Sequence, residues 1–376
     1  TTLRLSTIDL HSETTFNRLC AAYLEHKRVS LLGVTPLYAS GCTREYDIMP
    51  HPQIKATSTD RMILVTGSTG FVGRHLVARL MAEGFAVRCL IPAHKADRLP
   101  WENPPEIVIG SILDEEALFR AATGAHVIIH LENALWWGRP RDLERIEVGG
   151  TRQLITAARA ARVGRIITLT QLGSAASSAY PLLRFKGQVE DLIRASGLAY
   201  TIIRAGVVYG EDDAFINHIA MQLRANPFYV LMPGTGEVVL HPIHIDDVIS
   251  ALVTSLRSID VVDSVIEIGG AEYITIEDLI RTVMRVSGAP RVIVPLPPYL
   301  MRAITAFTSR ILSRSLITPQ WFDILAANRA AKLGNLYHYF GVRPKRLEDT
   351  LLTYMRGRRY TIPMMRYALR RRPKVV

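Results

Sequence analysis

A strand that runs directly into a glycine-rich turn and then a helix constrains the fold of this 376-residue chain more than any other feature. Residues 62–66 are apolar, glycines follow at every third position, and residues 71–83 carry apolar side chains at helical spacing. Glycine permits the tight turn and lets the amides at a helix N-terminus approach a pyrophosphate. The pattern predicts a dinucleotide-binding loop that consists of Thr66, Gly67, Ser68, Thr69, Gly70, Phe71, Val72 and Gly73.

The rest of the chain alternates short apolar segments with helical segments, which is typical of β-α-β units and a parallel sheet. Further strands are predicted at 86–91, 107–109, 127–131, 166–169 and 200–203, and helices at 114–122, 141–161 and 181–196. After residue 210 helices dominate, with predictions at 215–225, 246–255, 276–287, 298–313 and 319–327. We therefore expect an α/β protein with a doubly wound parallel sheet of the Rossmann type and a small, mostly helical C-terminal lobe.

Composition and charge divide the chain into four predicted regions. Residues 1–61 read as an N-terminal extension of uncertain structure, 62–210 as the NAD(P)-binding core, and 211–340 as a substrate-side lobe interleaved with that core. Residues 341–376 contain eleven Lys and Arg but only two acidic residues, so most of the net charge of +11 lies in this basic tail. Such a tail suits an anionic membrane surface, an acidic partner or a solvated chain end.

Several classes of protein are excluded by composition. The three cysteines are too few and too scattered for a disulfide framework or a zinc site, and they indicate a reducing compartment. No apolar run reaches the roughly 18 residues that a membrane-spanning helix needs. His241 and His244 lie three residues apart outside a helix, a spacing that fixes no metal geometry, so no metal site is predicted. Nucleic acid is an unlikely partner because no nucleic-acid fold motif is present.

The second predicted strand bears on the choice of cofactor. Proteins that bind NAD usually end this strand with an acidic residue that holds the ribose hydroxyls. Here the strand has no carboxylate, and Arg88, His94 and Lys95 are the basic groups available to a 2′-phosphate. We therefore favour NADP over NAD and include Arg88 among the cofactor-binding residues.

Five stretches of sequence together resemble the extended and atypical short-chain dehydrogenase/reductases. They are TGSTGFVG, VIIHL, GGTRQLITAARAARVGRIITLTQLGS, SGLAYTIIRAGVVYG and HPIHIDDV. Three later stretches, GTGEVVLHPIHIDDV, IEIGGAEYITIEDLI and VPLPPYLMRAI, are similar to one branch of this superfamily. That branch contains the nucleotide-binding accessory subunit of respiratory complex I and its bacterial relatives, with NmrA-like regulators and photosystem-assembly reductase-like proteins as neighbours.

The resemblance implies an active site built from a tyrosine, a lysine four residues later and a hydroxyl after the fifth strand. It implies catalytic roles for Lys186 and Thr170, with Lys186 also holding the cofactor ribose and His130 contributing to the cofactor site. The position four residues before Lys186 is Leu182, which has no proton to transfer. Tyr180, just before the predicted helix, is the alternative proton donor.

Two further positions depart from the pattern of the superfamily. Gly110-Ser111 stands where the superfamily often has Gly-Asp, whose aspartate meets adenine. Glu147 stands where it usually has asparagine. Tyr209, in the VVYG stretch, is expected by resemblance to face the cleft near the nicotinamide.

Two functions remain open at this level. The first is an NAD(P)H-dependent oxidoreductase, or an epimerase/dehydratase-like enzyme, that acts on an unknown, apolar small molecule. The second is a non-catalytic subunit or assembly factor of a membrane-associated electron-transfer complex. It would dock on a membrane surface or a protein complex through the tail and the helix from Tyr299, where arginines flank an apolar stripe. Either function predicts a cytoplasmic protein, with peripheral membrane attachment as an option.

Overall fold

Seven parallel strands form the central sheet of the computed structural model, which describes residues 61–133, 140–311, 321–322, 325, 327–358 and 360. All of these residues belong to one compact unit of the chain. The strands are β1 (Met62–Thr66), β2 (Val87–Ile91), β3 (Glu106–Ile109), β4 (Ala125–His130), β5 (Arg165–Gln171), β6 (Ala199–Ala205), β7 (Val208–Tyr209), β8 (Tyr229–Pro233), β9 (Val239–Leu240), β10 (Ile243–His244), β11 (Ser264–Ile268), β12 (Ile274–Thr275) and β13 (Val292–Leu296).

Helices connect these strands and cover both faces of the sheet. They are α1 (Phe71–Ala82), α2 (Glu115–Ala122), α3 (Pro140–Glu144), α4 (Gly150–Ala160), α5 (Pro181–Arg194), α6 (Phe215–Ala225), α7 (Ile245–Arg257), α8 (Ile276–Ser287), α9 (Pro298–Ile311), α10 (Asn335–Phe340) and α11 (Leu347–Met355). A π-helical turn, Arg145–Gly149, joins α3 to α4 without a break.

The strand order of the main sheet is β11-β6-β5-β4-β1-β2-β3, and every neighbouring pair is parallel. The direction of winding reverses between β1 and β4, which leaves a crevice at the carboxyl ends of these two strands. Ligands of open parallel sheets bind in such a crevice. The fold therefore places the glycine-rich turn after β1 next to the residues that follow β4.

The apolar strand residues alternate between two buried clusters. Val65 of β1 joins a cluster with Leu76 and Leu252, on the face covered by α1 and α7. Leu64, its neighbour, joins a second cluster with Leu118 and Leu154, on the face covered by α2 and α4. Since successive side chains of a strand point to opposite faces, an unbroken apolar run is what a sheet covered on both sides requires. This confirms the predicted doubly wound fold.

The C-terminal lobe has its own apolar core. Phe215 of α6, Leu279 of α8 and Leu351 of α11 belong to one buried cluster, and Leu182 of α5 extends it toward the central sheet. Small two-stranded sheets pair β7 with β10, β9 with β12 and β8 with β13. This lobe thus meets the Rossmann core at the helix that carries Lys186.

The structure adds three details to the predicted organisation. β11, which falls in the predicted substrate-side lobe, is the seventh strand of the main sheet, because it pairs with β6 along its full length. The single helix predicted at 141–161 contains the π-helical turn. Residues 347–355 of the predicted tail form α11, whose Leu347, Leu351 and Met355 are buried. The helix predicted at 319–327 and the extension at 1–61 lie almost entirely outside the described residues.

Candidate functional site

The glycine-rich turn has the shape that phosphate binding requires. Gly67 has a φ of +68°, in the left-handed region that favours glycine. A Cβ atom on Gly67 or on Gly73 would lie well under 3.0 Å from backbone atoms, those of Leu131 and of Gly67 respectively. The N-cap of α1 is Gly70, so no side chain covers the amides of its first turn. This cradle fits the pyrophosphate of a dinucleotide, because the amides at a helix N-terminus carry a partial positive charge.

The other residues of the predicted loop contribute differently. Thr69, Phe71 and Val72 are partly exposed beside the cradle. The side chains of Thr66 and Ser68 are buried, so these two residues can offer only their backbone to a ligand. The structure therefore keeps all eight residues in the loop but turns two of their side chains away from the crevice.

A chain of hydrogen bonds lies beneath the loop and fixes the proton on His130. Thr151 donates its single hydroxyl proton to the Glu147 carbonyl oxygen at 2.5 Å. Its Oγ1 must therefore accept from Nε2 of His130, at 3.1 Å, and Nδ1 then accepts from the Thr66 hydroxyl, at 2.8 Å. His130 is thus a neutral, buried link between β1, β4 and α4, and it supports the cofactor loop rather than contacting a ligand with its ring.

Burial, followed by the charge of Lys186, lowers the pKa of His130 to about 3. Between pH 6.5 and 3 the unfolded chain takes up a proton at this residue that the folded chain excludes, so stability falls as pH falls. The free energy of unfolding falls by about 1.4 kcal/mol per pH unit, or roughly 2 kcal/mol between pH 6.5 and 5. We expect the free energy of unfolding of His130→Gln, measured in urea, to fall less between pH 6.5 and 5 than that of the wild type. His126→Gln, at an exposed position on the same strand, should behave like the wild type.

Arg88 does not lie at the cofactor site that the sequence analysis predicts for it. Its guanidinium donates to the Glu106 carboxylate at 2.7 Å and to the carbonyl oxygen of Ala121 at 2.9 Å. Glu106 begins β3, and Ala121 is near the end of α2. These partners lie at the amino ends of the strands, opposite the crevice, because Arg88 is only the second residue of β2. The prediction that Arg88 meets a 2′-phosphate is therefore wrong. Lys95, in the short turn after β2, remains on the crevice side.

Lys186 forms a buried ion pair at the crevice. Its Nζ lies 2.8 Å from Oε2 of Glu147, and the two side chains are 8% and 1% exposed. The π-helical turn brings Glu147 to this position, and π-helical turns are frequent at functional sites. The lysine is thus held next to the cradle, with its charge balanced by a carboxylate.

Glu132, two residues after β4, adds a second carboxylate to the same place. Its backbone nitrogen would lie 2.6 Å from a Cβ atom placed on Gly67, and the charges that act on its carboxyl are those of Lys95, Glu147 and Lys186. Burial is the largest effect and raises the pKa of this carboxyl, whereas the positive charge of Lys95 opposes the shift. Four charged side chains therefore surround the mouth of the phosphate loop, two of each sign.

The remaining predicted catalytic residues are not brought together. Leu182 is buried in the apolar core of the lobe. The Thr170 hydroxyl donates to the Glu190 carboxylate at 2.7 Å, and Glu190 is in turn paired with Arg204. Tyr180 is the N-cap residue of α5, with its ring 5.9 Å from the Arg329 guanidinium carbon. Thr170 and Tyr180 thus each contact a side chain other than Lys186.

Tyr209 also differs from its expected role. It is fully buried, and its hydroxyl oxygen lies 2.8 Å from Oγ1 of Thr350. Its ring packs edge-on against His244, at a centroid distance of 5.3 Å. Burial raises the pKa of the phenol above its usual range. Tyr209 therefore holds the lobe together, and the expectation that it faces the cleft is wrong.

Sequence reasoning missed two residues of the site. Glu147 was recognised as a departure from the superfamily, but not as the partner of Lys186, since the two are 39 positions apart. Glu132 was overlooked, although it directly follows the stretch VIIHL. A carboxylate just after the strand beside the glycine loop was the available signal.

Comparisons with known proteins agree with this geometry. Residues 67–225 match the family model described as NAD(P)H-binding. The chain is 20% identical, with a TM-score of 0.60, to the UDP-glucose 4-epimerase of Thermotoga maritima, over 82% of this chain and all of that one. With the strand order and the glycine loop, the family match supports an NAD(P)H-binding domain at residues 67–225, and the likeness to the epimerase shows a shared fold.

Curated relatives include a reductase, an assembly factor and a dehydrogenase subunit. The ceramide reductase of Caulobacter vibrioides is 30% identical over 54% of this chain and 63% of its own length. The photosystem II assembly factor Ycf39 of Cyanophora paradoxa is 34% identical over 38% of this chain and 44% of its own length. The chain thus spans less than two thirds of these two relatives. The mitochondrial NADH dehydrogenase [ubiquinone] 1 alpha subcomplex subunit 9 of Rattus norvegicus is 24% identical over 71% of this chain and 72% of its own length.

Within the described part of the chain, no helix combines the length and the apolar character that crossing a bilayer demands.

Proposed function

We propose that this chain holds NAD(P)(H) as a non-catalytic component and does not transfer protons through a tyrosine–lysine pair. One observation carries the proposal: Leu182, buried and apolar, stands four residues before Lys186, where the proton donor is required. Residues four apart on a helix share a face, so Leu182 occupies the position from which a tyrosine would act beside Lys186. The neighbouring polar groups are already committed, Lys186 to Glu147 and Thr170 to Glu190.

NADP is the favoured dinucleotide. The strand β2 ends without a carboxylate, so no acidic side chain there competes with a 2′-phosphate. With Arg88 at the opposite edge of the sheet, Lys95 is the group proposed to meet that phosphate. Lys186 and Glu147 together offer a donor and an acceptor suited to the hydroxyls of a ribose.

A protein complex at a membrane is the proposed setting. Two relatives, the assembly factor Ycf39 and the NADH dehydrogenase subunit, are named for such complexes. The helix α9 supports peripheral docking, since Tyr299 and Phe307 are 76% and 66% exposed while Met301 and Thr305 on its other face are buried. A helix with apolar side chains exposed to solvent is typical of an interaction surface. We propose a cytoplasmic protein that docks through this helix and the basic residues after position 360.

The test is to measure NADPH binding and NADPH oxidation by the same purified protein. We expect NADPH fluorescence to report a bound cofactor. We also expect no oxidation above that of buffer with a panel of long-chain aldehydes and ketones. Lys186→Ala should weaken binding without changing this absence of turnover. Oxidation by the wild-type chain that Lys186→Ala abolishes would contradict the proposal.

An oxidoreductase that acts on an apolar molecule is the second candidate. The lobe contains a pocket lined almost entirely by apolar side chains, among them Phe215, Val230, Leu279, Met301 and Trp321. Leu182 belongs to the same apolar cluster as Phe215, Leu279 and Trp321, which line the pocket. The match to a ceramide reductase favours this candidate. It requires proton transfer by water or by Tyr180, and the oxidation assay distinguishes it from the first proposal.

A further inference from the structure

The C-terminal lobe contains a pocket whose wall is almost entirely apolar. Side chains from α6, β8, α8 and α9 line it, together with Trp321, Phe322 and Leu325. None of the described residues in this wall is charged, and among them only Gln222 bears an amide. A charged or strongly polar group that entered the pocket would lose its hydration without gaining comparable partners. The pocket therefore suits a ligand, or the part of a ligand, that is pure hydrocarbon.

The pocket runs along α6 from a buried end to a partly exposed one. Phe215 and Trp321, which are 3% and 4% exposed, pack at the buried end with their ring centroids 4.7 Å apart. Gln222 follows Phe215 by about two turns of the same helix, a distance of about 10 Å along the axis. Gln222 and two residues of β8, Leu231 and Pro233, are only partly buried, so they mark the mouth of the pocket.

An exposed apolar surface lies next to this mouth. Gly234 follows Pro233, and a Cβ atom on Gly234 would lie 3.9 Å from a ring carbon of Pro298, the first residue of α9. The next two residues of that helix, Tyr299 and Leu300, are 76% and 40% exposed. Exposed apolar groups of this kind are typical of surfaces that contact a membrane or a ligand. They give a lipid in a bilayer a short apolar path from the membrane to the pocket.

We propose that this pocket holds one hydrocarbon chain of a membrane lipid, with the head group at the mouth beside Gln222. The end of the chain reaches Phe215 and Trp321, where the wall is most deeply buried. The inference goes beyond both proposed functions, because a bound lipid chain suits a nucleotide-holding subunit and a reductase equally. It rests on the proposed docking through α9 only for the route by which the lipid enters.

A chain that carries bromine at one end or the other tests the proposal, because bromine quenches the fluorescence of a tryptophan that it contacts. The full chain is titrated with 12-bromododecanoate below the concentration at which micelles form. We expect quenching, since the terminal bromine reaches Trp321 at the buried end. 2-Bromododecanoate, with its bromine beside the carboxylate at the mouth, should bind equally well and quench less. Dodecanol should displace both, because the head group stays outside the apolar wall.

Two substitutions locate the bound chain. Trp321→Phe should remove the quenching while the other tryptophans keep their fluorescence. Ile219→Phe enlarges a wall residue that is 8% exposed, and it should weaken binding by about tenfold, which is close to the loss of two buried methylene groups. Ile259→Phe makes the same change at a position that is 77% exposed and should bind the bromododecanoates like the wild type.

Each result supports or overturns the proposed lipid site. Absence of quenching by 12-bromododecanoate in the wild-type chain would overturn it without any variant. Equal quenching of the wild type and Trp321→Phe would place the bound chain elsewhere and would also overturn it. NADPH fluorescence in the same samples separates this inference from the proposed function. Binding of NADPH without the bromododecanoates would count against the lipid site alone, and the reverse result would count against nucleotide holding alone.

Discussion

Gly73→Ala should weaken the binding of NADPH by roughly ten- to a hundredfold and destabilise the chain. The added Cβ would lie well under 3.0 Å from the Gly67 carbonyl oxygen and the Ser68 backbone, neither of which is a flexible side-chain end. Relief requires the N-terminus of α1 to move away from the loop, and overpacking of this kind costs about 1–3 kcal/mol. If the same free energy is lost from nucleotide binding, the affinity for NADPH falls by roughly ten- to a hundredfold.

Gly149→Ala is the matched control for this substitution. Gly149 has helical dihedral angles, with φ −63° and ψ −48°, and a Cβ atom there meets no atom within 4 Å. Alanine in a helix is favoured over glycine by up to about 1 kcal/mol, so this variant should be neutral or more stable. NADPH fluorescence titration and urea unfolding of both variants check the prediction. Unchanged affinity in Gly73→Ala would show that the loop does not hold the nucleotide.

The glycine loop was predictable because its signal is local. Glycines 67, 70 and 73 lie within one turn and one helix start, and Gly73 is required by the backbone of Gly67 and Ser68 in that same turn. The alternation of strands and helices is equally local, which is why the doubly wound sheet was predicted from the apolar segments. The place of β11 beside β6 is not local in this sense, because it depends on a pairing some 60 residues away.

The arrangement of the charged side chains was not predictable in this way. Arg88 and Lys95 are seven residues apart, yet only Lys95 lies at the crevice, because the direction of β2 puts its first residues at the other edge. The pairing of Lys186 with Glu147 depends on a π-helical turn that has no clear signal in the sequence. The Thr170 hydroxyl donates to the Glu190 carboxylate. Periodicity in the sequence identifies Glu190 only as one residue of a helix face.

Breaking the buried ion pair is the second prediction with a large effect. Glu147→Gln should destabilise the chain by about 3–5 kcal/mol, because it leaves the Lys186 ammonium buried without a carboxylate. Lys186→Met should cost a similar amount, since it leaves the Glu147 carboxylate buried without its lysine. The midpoint of urea unfolding measures each loss.

The double variant separates stability from nucleotide binding. Because a buried ion pair is often replaced by neutral groups without loss, Glu147→Gln combined with Lys186→Met should recover most of the stability lost by either change alone. It should not recover NADPH binding if the pair holds the ribose. Glu116→Gln, which breaks an exposed pair with Arg120, should cost no more than about 0.5 kcal/mol. Small losses of stability in the single variants that add up in the double variant would show that solvent, rather than the partner side chain, stabilises these charges.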